Sequence, residues 1–248
     1  MISTRKFKIG AFAAMIIMFV CVSCDDDTVD PDPINETGVL VDIENNTYET
    51  VKIGDAWWMS ENLKVTKYRN GTAINLSQSA SDWSTGSEAY CLFDNNQTAP
   101  GLLYNKAAVS SSNGLAPEGW HVATEQDWQN LERELGMSNE NIDKLNWRDE
   151  GSCGEKLKIQ APAGWSKFGT LWPSNSSGFT ALAGGCRLGN GTWSNPGLFS
   201  TGFWWSSSYL GNGITNTSYF RQLDYKKAGI FRFYVDKKYG MSVRCVKD

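Results

Sequence analysis

Cys24 separates a stretch that cannot contribute to a folded core from one that can. Ahead of it, Arg5, Lys6 and Lys8 form a basic start, Ile9 to Val22 form an apolar run, and small Ser23 precedes the cysteine. That run falls short of the roughly 20 apolar residues a spanning helix needs, and it reads as a secretory signal. Behind Cys24, residues 24–38 carry Asp25, Asp26, Asp27, Asp30, Asp32 and Glu36 without a single base, and Pro31 and Pro33 stiffen the chain. Such a stretch repels itself and has little to bury, so it reads as a tether, reaching roughly 50 Å at ~3.3–3.6 Å per residue. A calcium loop would need a hinge glycine and a closing Glu at fixed offsets, and neither is present. The core must therefore come from residues 39–248.

A small residue directly before Cys resembles the end of a bacterial lipoprotein signal. Cleavage there would leave Cys24 to carry a diacylglyceryl group, with the membrane as a partner through the lipid. The acidic run that follows resembles signals sending such proteins to the outer membrane, often to the cell surface. A plain secretory signal is the alternative. Losing the three basic residues of the signal takes the formal charge from −4 to −7. With the six tether acids set aside, 21 acids face 20 bases in residues 39–248. A nearly neutral domain lacks the basic footprint of a nucleic-acid binder, so no nucleic acid is expected as a partner.

Beyond Cys24 stand Cys91, Cys153, Cys186 and Cys245. An even number in an oxidising compartment predicts two disulfides from three connectivities. The expected pairs are Cys91–Cys245 and Cys153–Cys186, with reduced buried thiols as the alternative. No two of these four cysteines have Cys-x-x-Cys spacing and the chain has one histidine, so no metal centre and no cofactor are expected. His121 lacks any nearby nucleophile signature and is expected to be structural, hydrogen-bonded to backbone.

Val39–Ile43 and Tyr48–Ile53 flank Glu44-Asn45-Asn46 and predict a hairpin, followed by strands at Ala56–Met59 and Ala89–Phe93. Thr124 is a good N-cap, Glu125 and Asp127 suit the positive end of a helix dipole, and Gly136 supplies a stop. Trp128, Leu131 and Leu135 share one face of that helix. Further helices are expected over Asn141–Asn146 and Gly154–Ile159. Strands are expected over Phe179–Leu188, Phe203–Tyr209, Thr217–Tyr225 and Ile230–Val246. Strands at both ends with helices between predict an α+β domain.

Four ordered segments resemble the Fibrobacter succinogenes major paralogous domain. They are Val41-Asp42-Ile43 with Tyr48–Gly54 and Trp58-Met59-Ser60-Glu61-Asn62-Leu63; Gly119-Trp120-His121-Val122 with the helix at Thr124; Ser177–Leu182 with Gly184, Gly185 and Arg187; and Trp204–Ser208 with Tyr239–Val246. The chain departs at Ala116, where the family has a Cys before Pro. The resemblance implies a C-type-lectin-like fold over residues 39–248, with two helices, a small twisted sheet joining the termini, and long loops. It also relates the chain to the scaffold of formylglycine-generating enzymes. Their close reactive cysteine pair is absent here, as are the Glu-Pro-Asn and Trp-Asn-Asp calcium segments of lectins.

No catalytic residue is assigned, and the chain is expected to be a non-enzyme: a binding or adhesion module for a glycan or a surface protein. A structural subunit of a surface appendage, or a degenerate enzyme, is the alternative. Trp165, Trp172, Trp193 and Tyr209 lie in Gly/Ser/Asn/Pro-rich stretches that can offer stacking faces. With Arg187 and Arg221 they form the expected binding surface.

Overall fold

The computed structural model describes residues 35–93, 100–160, 165, 173–194, 199–211 and 214–248. Cys24, most of the tether and Trp172 lie outside them. In chain order the strands are β1 (Thr37–Val41), β2 (Thr47–Ile53), β3 (Ala56–Met59), β4 (Asn75–Leu76), β5 (Ala89–Cys91), β6 (Leu103–Asn105), β7 (Trp120–Val122), β8 (Asn146–Arg148), β9 (Thr201–Gly211), β10 (Ile214–Asp224), β11 (Ile230–Asp236), β12 (Gly240–Met241) and β13 (Cys245–Lys247). The helices are α1 (Ala80–Ser84), α2 (Lys106–Val109), α3 (Glu125–Glu134) and α4 (Cys153–Leu157).

The first hairpin forms as its sequence predicts, with its first strand two residues earlier than expected and its second starting one residue earlier. Leu40 and Tyr48 turn inward, and the Asp42 carboxylate accepts from the Glu44 and Asn46 amides and from the Tyr48 hydroxyl. Asn45 takes the left-handed turn conformation at φ 62°, which Asn tolerates better than most residues. Order reaches back into the expected tether: Lys52 pairs with Glu36 at 2.9 Å, and Asn35 Nδ2 donates to the Ser176 carbonyl.

β1 to β3 belong to a sheet of order β1-β2-β3-β13-β7. Its centre closes only when β13, from the far end of the chain, enters between β3 and β7. β7 leads into α3, where Thr124 and Asp127 form a reciprocal capping box and Gly136, at φ 100°, ends the helix. A second sheet, β8-β11-β10-β9, is an antiparallel meander carrying aromatic cross-strand pairs such as Tyr219–Tyr234. The third, β12-β6-β5-β4, has one parallel pair.

The α+β, C-type-lectin-like expectation is overturned. The described residues are mostly β, and apart from α3 the helices run only four or five residues. The helix expected over Asn141–Asn146 is a pair of turns. Asn146 instead adopts φ 70° and opens β8, because β11 offers a strand partner and Glu132 of α3 captures Arg148. The strand expected over Phe179–Leu188 is reduced to isolated bridges by left-handed residues at Gly178, Thr180 and Gly185. The long strand expected over Ile230–Val246 breaks at Asp236, whose side chain and carbonyl bind the Lys238 and Tyr239 amides in a turn.

The expected disulfides are absent. Cys91, Cys153, Cys186 and Cys245 are buried free thiols. Each fills core volume as a small hydrophobe, and neither expected pair shares a hydrophobic cluster. Burial pushes the Cys91 and Cys186 thiols up to about 12 and Cys153 to about 11.

Candidate binding surface

The family-like segments converge in the interior. Asn62, just beyond β3, accepts with Oδ1 from Trp204 Nε1 at 2.9 Å and from Arg244 Nε at 2.8 Å. Its Nδ2 donates to the Pro100 carbonyl and the Ser242 hydroxyl. Arg244 spends its remaining donors on the carbonyls of Met59, Phe179 and Thr180, and its guanidinium lies 4.3 Å from the centre of the Phe179 ring. Phe179 packs in turn against Trp58, Trp128 and Trp204. Burial away from any hydrogen-bonded carboxylate pushes the Arg244 pKa down to about 9, so it remains charged at neutral pH.

A second buried network fixes α3 to the meander. Glu132 binds Arg148 through two bonds of 2.7 and 2.8 Å and Arg221 at 2.6 Å. Glu125 holds Arg221 through two bonds and Arg232 through one. Arg221 is therefore a brace with no exposed surface. Sequence reading missed this network because Glu125 and Glu132 look like ordinary exposed helix residues. Their i, i+7 spacing places both on the buried side, and that was the available signal.

The surface expected from sequence does not assemble. Arg187 is buried between the rings of Trp83 and Trp193, 4.7 Å from each, and donates to the carbonyls of Ser77, Gln78 and Gly191. Trp193 also packs on Phe93 at 4.9 Å. Trp165 is buried and donates to the Ala181 carbonyl. Tyr209 is exposed, and its ring covers buried Lys106, whose ammonium donates to the Ser206 and Ser207 carbonyls. Burial pushes the Lys106 pKa down to about 7. Trp172 lies outside the described residues.

The hydrogen-bond partners of His121 are carboxylates rather than the expected backbone. Nδ1 meets Asp248 Oδ1 at 2.7 Å, and Nε2 meets Asp127 Oδ2 at 3.0 Å. With both ring nitrogens engaged, neither is free to take a proton from a substrate. Burial opposes the charged ring, but Asp248 and Asp127 together outweigh it, and the pKa is raised.

An open surface lies beside the first hairpin. β1, β2 and Ser60 form one wall of a notch of about 650 Å³, and residues 175–180 form the other. Asn35, Thr37, Glu49, Asn175, Ser176 and Thr180 supply its polar groups, over an apolar floor at Val51 and Gly178. The second wall is set before any ligand arrives. Asn175 and Thr180 hold left-handed conformations, Asn175 Oδ1 accepts from the Thr180 amide at 2.8 Å, and Arg244 grips two carbonyls from below. Gly178, at φ 69°, is required where a Cβ would come within 2.9 Å of the Val51 methyl. Sequence reading missed this notch because its two walls lie far apart in the chain and carry no aromatic signal.

A domain defined by such an interior belongs to a class recognised by its core-building segments. The Fibrobacter succinogenes major domain matches residues 51–247, and the chain belongs to this family of surface-associated domains. No curated protein and no solved structure matches the chain. The node around Asn62 and Arg244 lies wholly within the matched residues, whereas β1 and the hairpin turn lie before them.

Proposed function

We propose that this chain is a lipid-anchored protein of the cell envelope, held through Cys24 at the outer membrane, and that its domain is a non-catalytic binding module. The notch beside β1 takes a neutral, hydroxyl-rich ligand such as a glycan. Support for the anchor is the basic, apolar and small-residue pattern ending at Cys24, followed by an acidic stretch that suits a tether. The observation that carries the binding role is the notch itself. Its volume falls in the range of small-ligand sites, ~300–1,000 Å³. Its amides, hydroxyls and the Glu49 carboxylate can exchange water for sugar hydroxyls, while the preset loop wall limits the ordering cost of binding.

A glycan screen followed by calorimetry on the best ligand tests the reading. Glu49→Ala and Asn35→Ala, both at the rim, are each expected to weaken binding about tenfold, the loss of roughly 1.4 kcal/mol. A ligand that binds equally well to both variants, or a screen without a ligand, removes the notch from consideration. Labelling with a tagged fatty acid, expected in the wild type and lost in Cys24→Ser, tests the anchor separately.

A further inference from the structure

The register of the five-stranded sheet sets three side chains in a row along one wall of the notch. Val39 on β1 stands opposite Glu49 on β2. The β2–β3 pairing runs from Ile53–Ala56 to Thr50–Met59, and beyond it Ser60 N–H donates to the Glu49 carbonyl at 2.8 Å. Glu49 and Ser60 are therefore the next pair. Directly opposed residues of antiparallel strands project from the same face, with Cβ atoms about 4.5–5.5 Å apart. That face also carries Val51, which Gly178 of the opposite wall overlies. A branched methyl group, a carboxylate and a hydroxyl thus stand side by side.

The hydroxyl is the informative member of the row. Ser60 is only 6% exposed and lines the notch, yet its side chain has no hydrogen-bond partner among the described residues. A buried hydroxyl is normally paired, so a bare one facing a cavity marks a place for an incoming group. The opposite wall has less to offer. Asn175 spends both ends of its amide on Thr180, whose hydroxyl in turn donates to the Gly178 carbonyl. Asn35 Nδ2 is spent on Ser176. Thr180 is held at φ 54°, which a β-branched residue rarely adopts, and such strained positions cluster at ligand sites.

Charge narrows the choice of ligand. Glu49 is the one titratable residue among those lining the notch. Glu61, whose carboxylate accepts from the Glu49 amide at 3.0 Å, adds a second acid beside it, with the Lys64 ammonium 3.8 Å away. The other cations near these walls are committed: Lys52 to Glu36, and Arg244 to Asn62 and the carbonyls of Met59, Phe179 and Thr180.

We propose, resting on the binding role above, that Glu49 and Ser60 together read a vicinal diol of an uncharged sugar and exclude acidic glycans. A carboxylate only accepts, and its two oxygens match two adjacent hydroxyls that both donate to it. The Ser60 hydroxyl, which can donate and accept, takes the next oxygen along the ring. Val39 and Val51 supply an apolar bed for the C–H face. A uronate would bring a negative charge against Glu49 with no cation in the lining to offset it.

The test is an array of neutral oligosaccharides, each printed beside its uronate and its O-methylated counterpart, with affinities of the bound members measured by calorimetry. The protein is the full chain carrying Cys24→Ser. Neutral members are expected to bind at least tenfold more tightly than either counterpart at low salt, and only the deficit of the uronates shrinks as salt is raised. Glu49→Gln is expected to lift the uronates towards the neutral members, since it removes the charge and keeps the size. Ser60→Ala is expected to weaken the neutral members about fivefold, the worth of one hydrogen bond, and to leave urea stability unchanged. A merely structural serine would do the reverse. Uronates or methylated sugars bound as tightly as neutral ones overturn this inference but leave the notch a glycan site, as does a discrimination that survives Glu49→Gln or a Ser60→Ala variant that binds normally. An array without a single bound member removes the inference and the binding role together.

Discussion

The centre and the edge of the five-stranded sheet are built on opposite principles. At the centre, β3 and β13 enclose polar groups whose hydrogen bonds close on one another. Asn62 and Arg244 together satisfy side chains and carbonyls from regions as distant as Met59, Pro100, Thr180 and Ser242. At the edge, β1 leaves backbone donors and acceptors open beneath exposed valines. The family match runs over residues 51–247, so it takes in the whole of the centre and begins only after β1.

The largest expected effect comes from breaking the centre. Arg244→Ala strips acceptors at Asn62, Met59, Phe179 and Thr180 of their donor and leaves a void under Phe179. Buried unsatisfied groups cost ~1–3 kcal/mol each, and partial relaxation limits the total to about 4–5 kcal/mol. Arg244→Lys is expected to recover little, because one ammonium cannot reproduce a fork aimed at four acceptors. Urea denaturation measures both. If either variant loses less than about 1 kcal/mol, the node is not what closes the sheet.

This contrast also explains which parts of the structure were legible in the sequence. The β1–β2 hairpin, β3 and the Thr124-capped helix were readable because each is encoded by neighbours: alternation, a turn Asn, a cap three residues from its partner. Arg187, Arg221 and the four cysteines were misjudged for the reverse reason. Arg187 lies between Trp83 and Trp193, and Arg221 reaches Glu125 and Glu132 across about ninety residues. Nothing adjacent to either arginine marks it as buried. The cysteines look like disulfide partners when counted, but the fold places the two members of each expected pair in different clusters. α4 shrinks to a single turn because Lys158, beyond its end, continues into a bridge with Ala181.

A smaller effect is expected where the sheet's other border meets the end of the chain. His121 on β7 joins Asp127, which caps α3, to Asp248, the last residue. Its pKa is raised in the folded state above the unfolded value of ~6.5. The stabilisation it brings is therefore complete below about pH 6.5 and is lost as pH rises through the folded pKa. The ring is more than a third exposed, so solvent screening limits the contribution to ~0.2–1 kcal/mol. Wild type is expected to lose this increment between pH 6 and pH 9 beyond whatever His121→Phe loses over the same range. Parallel pH profiles for the two proteins would show that the carboxylates do not act through this ring.

The smallest effect sharpens the comparison most. If β1's outward valines face water rather than the core, replacing one should leave the fold almost untouched. Val39 makes its ladder contacts through Gly38 and Leu40 on either side, and its own side chain is mostly in water. Val39→Lys gives up some β propensity and little buried area, so its stability should change by less than about 0.5 kcal/mol. Urea melts of the two proteins check this. A loss of 2 kcal/mol would mean that Val39 is packed within its own domain, and the edge would then belong to the same closed interior as Arg244.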